Sequence, residues 1–157
     1  MIDQDLFRAV LGRFASGITV ITTLDAAGVP HGMTVSAFSS LSLEPPLVLA
    51  CLARNATMMP VLDTAEAFGV NILRDGQEAI SRRFAGPVDD RFGGIGYTEG
   101  RLGAPILDEV LAWLQCRIVA RHLAGDHLIL VGQVDEAGVH EGRPLLYYRG
   151  GYATLER

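Results

Sequence analysis

The feature that most constrains the fold is a pair of β-rich segments separated by a short turn, His31 to Ser40 (HGMTVSAFSS) and Pro45 to Arg54 (PPLVLACLAR). Side chains alternate across a strand, so Thr34 and Ser36 share one face of the first segment while Val35 and Ala37 share the other. Small hydroxyl and methyl side chains leave such a backbone open to a flat ligand. Ser39 and Ser40 gather hydroxyls and N–H groups where this strand is expected to end, and Arg54 and Thr57 follow the second segment. These residues are expected to close an anion site, because a phosphate needs fixed donors and an Arg fork matches it. A flat body with an anionic tail has the shape of a flavin nucleotide. The same pattern also suits an ordinary strand with a solvated hydroxyl face.

The rest of the chain reads as short strands with a few helices. Asp3 or Asp5 caps a first helix whose apolar stripe is Leu6, Phe7, Val10, Leu11 and Phe14, with Gly17 as its stop. Strands are expected over Ile18 to Leu24, Phe68 to Leu73, Ala112 to Arg121, Leu128 to Val134 and from Leu145 to Tyr148, the last broken by Gly150 and Gly151. Short helices are expected over Ala56 to Thr64, with Pro60 in the first turn, and over Gln77 to Phe84. Turns fall at Asp25 to Gly28 and at Gly125-Asp126. A long irregular stretch from Gly86 to Pro105 remains, and such loops are usually functional or mobile. Many short strands with interspersed helices predict a closed or nearly closed antiparallel barrel.

At 157 residues a single domain spanning 1–157 is expected, and 49% apolar composition supports a sizeable core. A net charge of −5 without any Lys/Arg run argues against a nucleic-acid partner. The N-terminus lacks a signal-peptide pattern and no apolar run is long enough for a membrane span, so a cytoplasmic protein is expected. Cys51 and Cys116 lie in apolar runs and read as buried free thiols. No histidine has partners at metal-ligand spacing, so no metal is expected. Gly94, Gly96 and Gly100 do not match the G-x-G-x-x-G spacing, which excludes a Rossmann reading.

Motifs along nearly the whole chain carry a resemblance. They are Phe7 to Val20 (FRAVLGRFASGITV), the opening pair of segments, Ser81 to Ala85 (SRRFA), Gly125 to His127 (GDH) and Tyr147 to Tyr152 (YYRGGY). The chain resembles the flavin reductase family of FMN-binding split β-barrels, the reductase components of two-component flavin monooxygenases. The resemblance implies a mainly β antiparallel split barrel with short helices. It also implies hydride transfer from NADH or NADPH to FMN or FAD, a homodimer, and delivery of reduced flavin to a partner monooxygenase. No acid–base residue is required, because the cofactors carry the chemistry.

By the same resemblance, Met33, Thr34, Val35, Ser36 and Ala37 lie along the flavin ring, with Cys51 and Ala53 at its border. Ser39, Ser40, Arg54, Asn55 and Thr57 hold the ribityl phosphate, and Arg83 and Phe84 reach the phosphate region. His127, Tyr148, Arg149, Gly150, Gly151 and Tyr152 bind the nicotinamide. Bland readings stand beside these: core packing for the Cys51 thiol, a solvated helix end for Arg83, and a strand or interface patch for the tyrosines. A non-catalytic protein on the same barrel, holding flavin tightly as a sensor or carrier, is the alternative function.

Overall fold

The computed structural model describes residues 1–156. In chain order its elements are α1 (Gln4–Leu11), β1 (Ser16–Gly17), β2 (Thr19–Leu24), β3 (Pro30–Val35), β4 (Phe38–Ser42), β5 (Leu47–Ala53), α2 (Met59–Leu62), β6 (Ala67–Ile72) and α3 (Glu78–Ala85). There follow β7 (Tyr97–Glu99), β8 (Pro105–Leu107), β9 (Ala112–Ala124), β10 (His127–Val139), β11 (Leu145–Tyr148) and β12 (Gly151–Thr154).

Seven strands form one antiparallel sheet in the order β3-β2-β6-β9-β10-β5-β4. Its edge strands, β3 and β4, are consecutive in the chain and separated only by Ser36 and Ala37. A link so short joins opposite edges only if the sheet curls round on itself. The curl stops short of closure, because no ladder pairs β3 with β4. This is the split barrel expected from the sequence, with one difference. The segment His31 to Ser40 is two strands, not one, with the break at Ser36–Ala37.

The interior of the curl is filled by Ile21, Val35, Val48, Ala50, Leu52, Phe68, Val70, Cys116, Leu128 and Leu130, closed at one end by Met58, Met59 and Leu62 around α2. Along β5, Val48, Ala50 and Leu52 point into this core, while Leu49, Cys51 and Ala53 face outward and are half-buried. Burial pushes the Cys116 thiol up to about 12, so it stays protonated. A second core of Ile18, Val20, Leu73, Phe84, Leu107, Val110 and Leu145 lies outside the sheet, under α3 and the small sheet of β1, β11 and β12. Strand β2 serves both cores and is buried on both faces.

Several boundaries differ from the sequence expectation. Helix α1 is capped by the Asp3 carboxylate, which accepts from the Asp5 and Leu6 amides, but it ends at Leu11, with Gly12 as C-cap. Its apolar stripe does not bury: Leu6, Phe7, Val10 and Leu11 are exposed, and Phe14 is 82% exposed. Strands β9 and β10 are 13 residues each, longer than alternation predicts, because register shifts at Val131/Gly132 and Val134/Glu136 interrupt the pattern without ending the ladder. The stretch expected to be irregular contains the β7–β8 hairpin. The final strand is a hairpin, β11–β12, turned by Arg149 and Gly150, both with positive φ, at 52° and 76°.

Gly132 lets β10 cross the core. A Cβ there would lie 2.6 Å from the Phe68 ring and 2.8 Å from Cys116 Cβ. Gly132→Ala is therefore expected to lower stability by about 1–3 kcal/mol through overpacking. The check is a lower urea midpoint at unchanged m value; an unchanged midpoint would refute it.

Candidate functional site

The site grows from the loop after β5. Arg54 N–H donates to the Asp126 carbonyl at 2.9 Å, and the Arg54 guanidinium reaches the Gly125 carbonyl at 3.4 Å. These bonds fix the β9–β10 turn against the end of β5. In the ladder His127 stands opposite Ala53. Its Nδ1–H donates to Asp126 Oδ1 at 2.7 Å, leaving Nε2 without a protein partner among the described residues. Ala53, Arg54, Asn55 and Asp126 together line a cavity of about 420 Å³.

Asn55 also borders a second cavity, of about 460 Å³, whose walls include Met33, Thr34, Thr57, Phe84, Pro87 and Arg91. Thr34 Oγ1 donates to the Ser81 carbonyl at 2.7 Å, which pins α3 to β3. The Asn55 and Thr57 amides donate to no protein acceptor among the described residues. Arg91 supplies the positive charge. It donates to the Gly32 carbonyl at 2.7 Å and the Gly86 carbonyl at 3.0 Å, and it pairs with no carboxylate among the described residues. Burial lowers its pKa below the ordinary guanidinium value. Free amides beside a charge-unpaired guanidinium make a donor set suited to a phosphate.

The structure brings part of the expected flavin set together. Met33, Thr34, Asn55, Thr57 and the edge of Phe84 share one cleft, and Ala53 and Arg54 adjoin it through Asn55. Val35 is core. Ser36 and Ala37 form the edge-to-edge link, where Cys51 N–H donates to the Ala37 carbonyl at 2.9 Å. Ser39 and Ser40 do not join Arg54 and Thr57. Ser40 pairs with Val48, about 20 Å along β5 from Arg54 at roughly 3.3 Å per residue. The anion site expected from those serines and Arg54 is therefore not one site within this chain. Phe84 is buried beneath α3 against Gly32. Arg83 donates to the carbonyls of Asp90, Arg91 and Gly93, so it fixes the loop after α3.

The nicotinamide set falls in two places. His127 lies beside Ala53, whereas Tyr152 lies on α3, with its hydroxyl 2.8 Å from Ser81 Oγ and Arg82 over its ring at 4.9 Å. Tyr147 meets Tyr152 edge-on at 5.4 Å. Tyr148, Arg149 and Gly150 are exposed at the hairpin tip, next to Gly151. No hydrogen bond or shared cavity joins this hairpin to His127 among the described residues. Sequence reasoning missed Arg91. Its setting, between Asp90 and Phe92 inside a long Gly-rich loop, carries no signal that sets it apart in the sequence.

Ancestry agrees with this geometry. The model of the flavin reductase like domain matches residues 11–156, and the chain belongs to that family. It is 42% identical over 99% of its length to the reductase subunit of a flavin-dependent monooxygenase of Rhodococcus jostii, covering 80% of that protein. A relative from Rhizobium meliloti is 41% identical over 97% of the chain, which spans only 49% of that longer protein. Among solved structures, the NADH:FAD oxidoreductase of Streptomyces globisporus in complex with NAD and FAD fragments superposes with a TM-score of 0.91. It is 35% identical, over 96% of this chain and 92% of that one.

The bond from His127 holds the Asp126 carboxyl below its ordinary value of 3.8. The pair's contribution is full above that value and is lost as pH falls through the lower folded one. An NMR titration of the Asp126 carboxyl should give a depressed midpoint that returns to the ordinary range in His127→Ala. An identical midpoint in both proteins would sink the pairing.

Proposed function

We propose that this chain is an NAD(P)H:flavin oxidoreductase that supplies reduced flavin to a partner monooxygenase, acting through one domain over 1–157. The observation that carries the reading is the register of His127 opposite Ala53. It sets a hydrogen-bonding imidazole beside Ala53, which lines a cavity with Arg54, Asn55 and Asp126, and Asn55 in turn borders the cleft of Met33, Thr34 and Thr57. The names of the relatives agree: a monooxygenase reductase subunit and an NADH:FAD oxidoreductase.

A flavin held in this cleft would supply the acceptor for a hydride from the reduced nicotinamide. The chain's own residues bind and orient. The Asn55 and Thr57 amides and Arg91 hold the anionic tail. The half-buried outer face of β5, with Cys51 and Ala53, borders the ring, and Ser36–Ala37 presents backbone at its polar edge. His127, locked by Asp126, orients the nicotinamide with Nε2. Stacking two rings in near-attack geometry and excluding water supplies the acceleration. A cytoplasmic setting provides the nicotinamide.

A homodimer completes the picture. The stripe of Leu6, Phe7, Val10, Leu11 and Phe14 and the 91%-exposed Leu43 leave apolar surface that a second copy would bury. Sedimentation should give a dimer that Phe7→Glu dissociates; a monomer at all concentrations would overturn this part.

Steady-state NADH oxidation is expected to require added flavin. His127→Ala should raise the KM for NADH about tenfold, the worth of one lost hydrogen bond, with flavin affinity unchanged. Equal losses for both ligands would refute the role given to His127. Flavin that binds without any turnover, and stays bound through dialysis, would instead favour the sensor or carrier reading.

A further inference from the structure

Arg91 and Phe92 are neighbours in the chain and hold the same residue of β3. Arg91 donates to the Gly32 carbonyl at 2.7 Å. The half-buried Phe92 ring packs where Gly32 has no side chain: a Cβ there would lie 3.3 Å from the Phe92 ring and 2.9 Å from that of Phe84. Phe84, Phe92 and Tyr97 meet edge-on in series, with ring centroids 5.0 and 5.2 Å apart. Phe92 is therefore held from three sides, by β3, α3 and β7. Loop 86–96, which carries both residues, contains no helix or strand. Arg91 pairs with no carboxylate among the described residues, so no opposite charge sets its direction. What sets it is the seat of its neighbour.

That seat is anchored from the sheet. Tyr97 opens β7, which pairs only with β8, and Tyr97 stands opposite Leu107. The β7–β8 hairpin is fastened to the outer face of the seven-stranded sheet by three buried polar side chains, one from each of the adjacent strands β2, β6 and β9. Thr22 Oγ1 donates to the Pro105 carbonyl at 2.6 Å, Asn71 Oδ1 accepts from Leu107 N–H at 2.9 Å, and Gln115 Nε2 donates to the Ala104 carbonyl at 3.1 Å. Burying polar side chains is costly unless such bonds are made, and here all of them fall on the short segment 104–107. A continuous path of bonds and packed rings thus runs from the sheet through Tyr97 to Phe92 and ends at Arg91.

Resting on the reading of Arg91 as a phosphate-holding group, we propose that Phe92 is a positioning residue. Wedged between Gly32, Phe84 and Tyr97, it aims the Arg91 guanidinium and so sets affinity for the phosphate of the flavin, not for its ring. Edge-on aromatic contacts are specific in geometry, and close packing passes a displacement on to its neighbours. A leucine at this position loses both edge contacts and frees the loop to shift. A tyrosine keeps the ring and the aim.

Titration of the whole protein with FMN, and with riboflavin as the same ring without the phosphate, tests this. Phe92→Leu should weaken FMN about tenfold, the worth of one charge-assisted hydrogen bond, and leave riboflavin within about twofold. Phe92→Tyr should restore FMN to within about twofold of the unaltered protein. Arg91→Ala should show the same selective loss. Phe92→Leu added to Arg91→Ala should then cost nothing more, because a residue that acts only through Arg91 has no effect once Arg91 is gone. Tyr97→Leu removes the ring behind Phe92 and should reproduce the selective loss from a second position. FMN affinity retained in both Phe92→Leu and Tyr97→Leu overturns the proposal while the flavin reading stands. So does riboflavin weakened as much as FMN, the mark of general packing, and so does a further loss in the double variant. Unaltered protein that binds neither flavin would remove the flavin reading itself, and the proposal with it.

Discussion

The step from Val35 to Phe38 holds the architecture together. Its backbone is tied by the Thr19 hydroxyl donating to the Val35 carbonyl at 2.6 Å, by Phe38 N–H donating to the Ser36 carbonyl, and by Cys51 N–H donating to the Ala37 carbonyl. Thr19 belongs to the strand beside one edge of the sheet, and Cys51 to the strand beside the other. The barrel is therefore drawn together through side-chain and loop bonds in place of a closing ladder. Because Ser36 and Ala37 belong to no ladder, their remaining backbone groups and small side chains lie open at the seam. A closed ladder would have consumed the same groups.

The clefts follow from what surrounds that seam. Helix α3 sits on β3 where Gly32 removes a side chain, and Phe84 fills the space. The same helix sends Arg83 forward to the loop and receives Tyr152 from behind. One short helix thus couples the hairpin at the chain's end, the strand carrying Thr34 and the loop carrying Arg91. Cys116, which burial keeps protonated, contributes volume alone.

Much of this fold is legible in the residues themselves. The alternation of Cys116, Ile118 and Ala120 against Arg117, Val119 and Arg121 identifies a half-buried strand, and the burial follows it. The Asp3 cap and the Gly125-Asp126 turn are local signals with local causes. What is not legible depends on long-range geometry. The break at Ser36–Ala37 is invisible because small residues suit a strand interior as well as a seam. Ser39 and Ser40 read as neighbours of Arg54 by sequence logic, but an antiparallel register sends the two groups to opposite ends of β5. Arg91 lacks any periodic neighbour, so nothing local separates it from other loop arginines. The stripe on α1 is legible as apolar and misleading as core, since periodicity reports a face that needs cover without saying which surface covers it.

Strand β5 places Val48, Ala50 and Leu52 in the core and Leu49, Cys51 and Ala53 on the opposite face, so each peptide unit belongs to two environments at once. A methyl group gained or lost inside would tilt the backbone that carries the outer residues, because a close-packed interior transmits strain. Substitutions that adjust thermal tolerance in such a chain therefore also retune recognition, and natural variation at these positions should travel in inner–outer pairs.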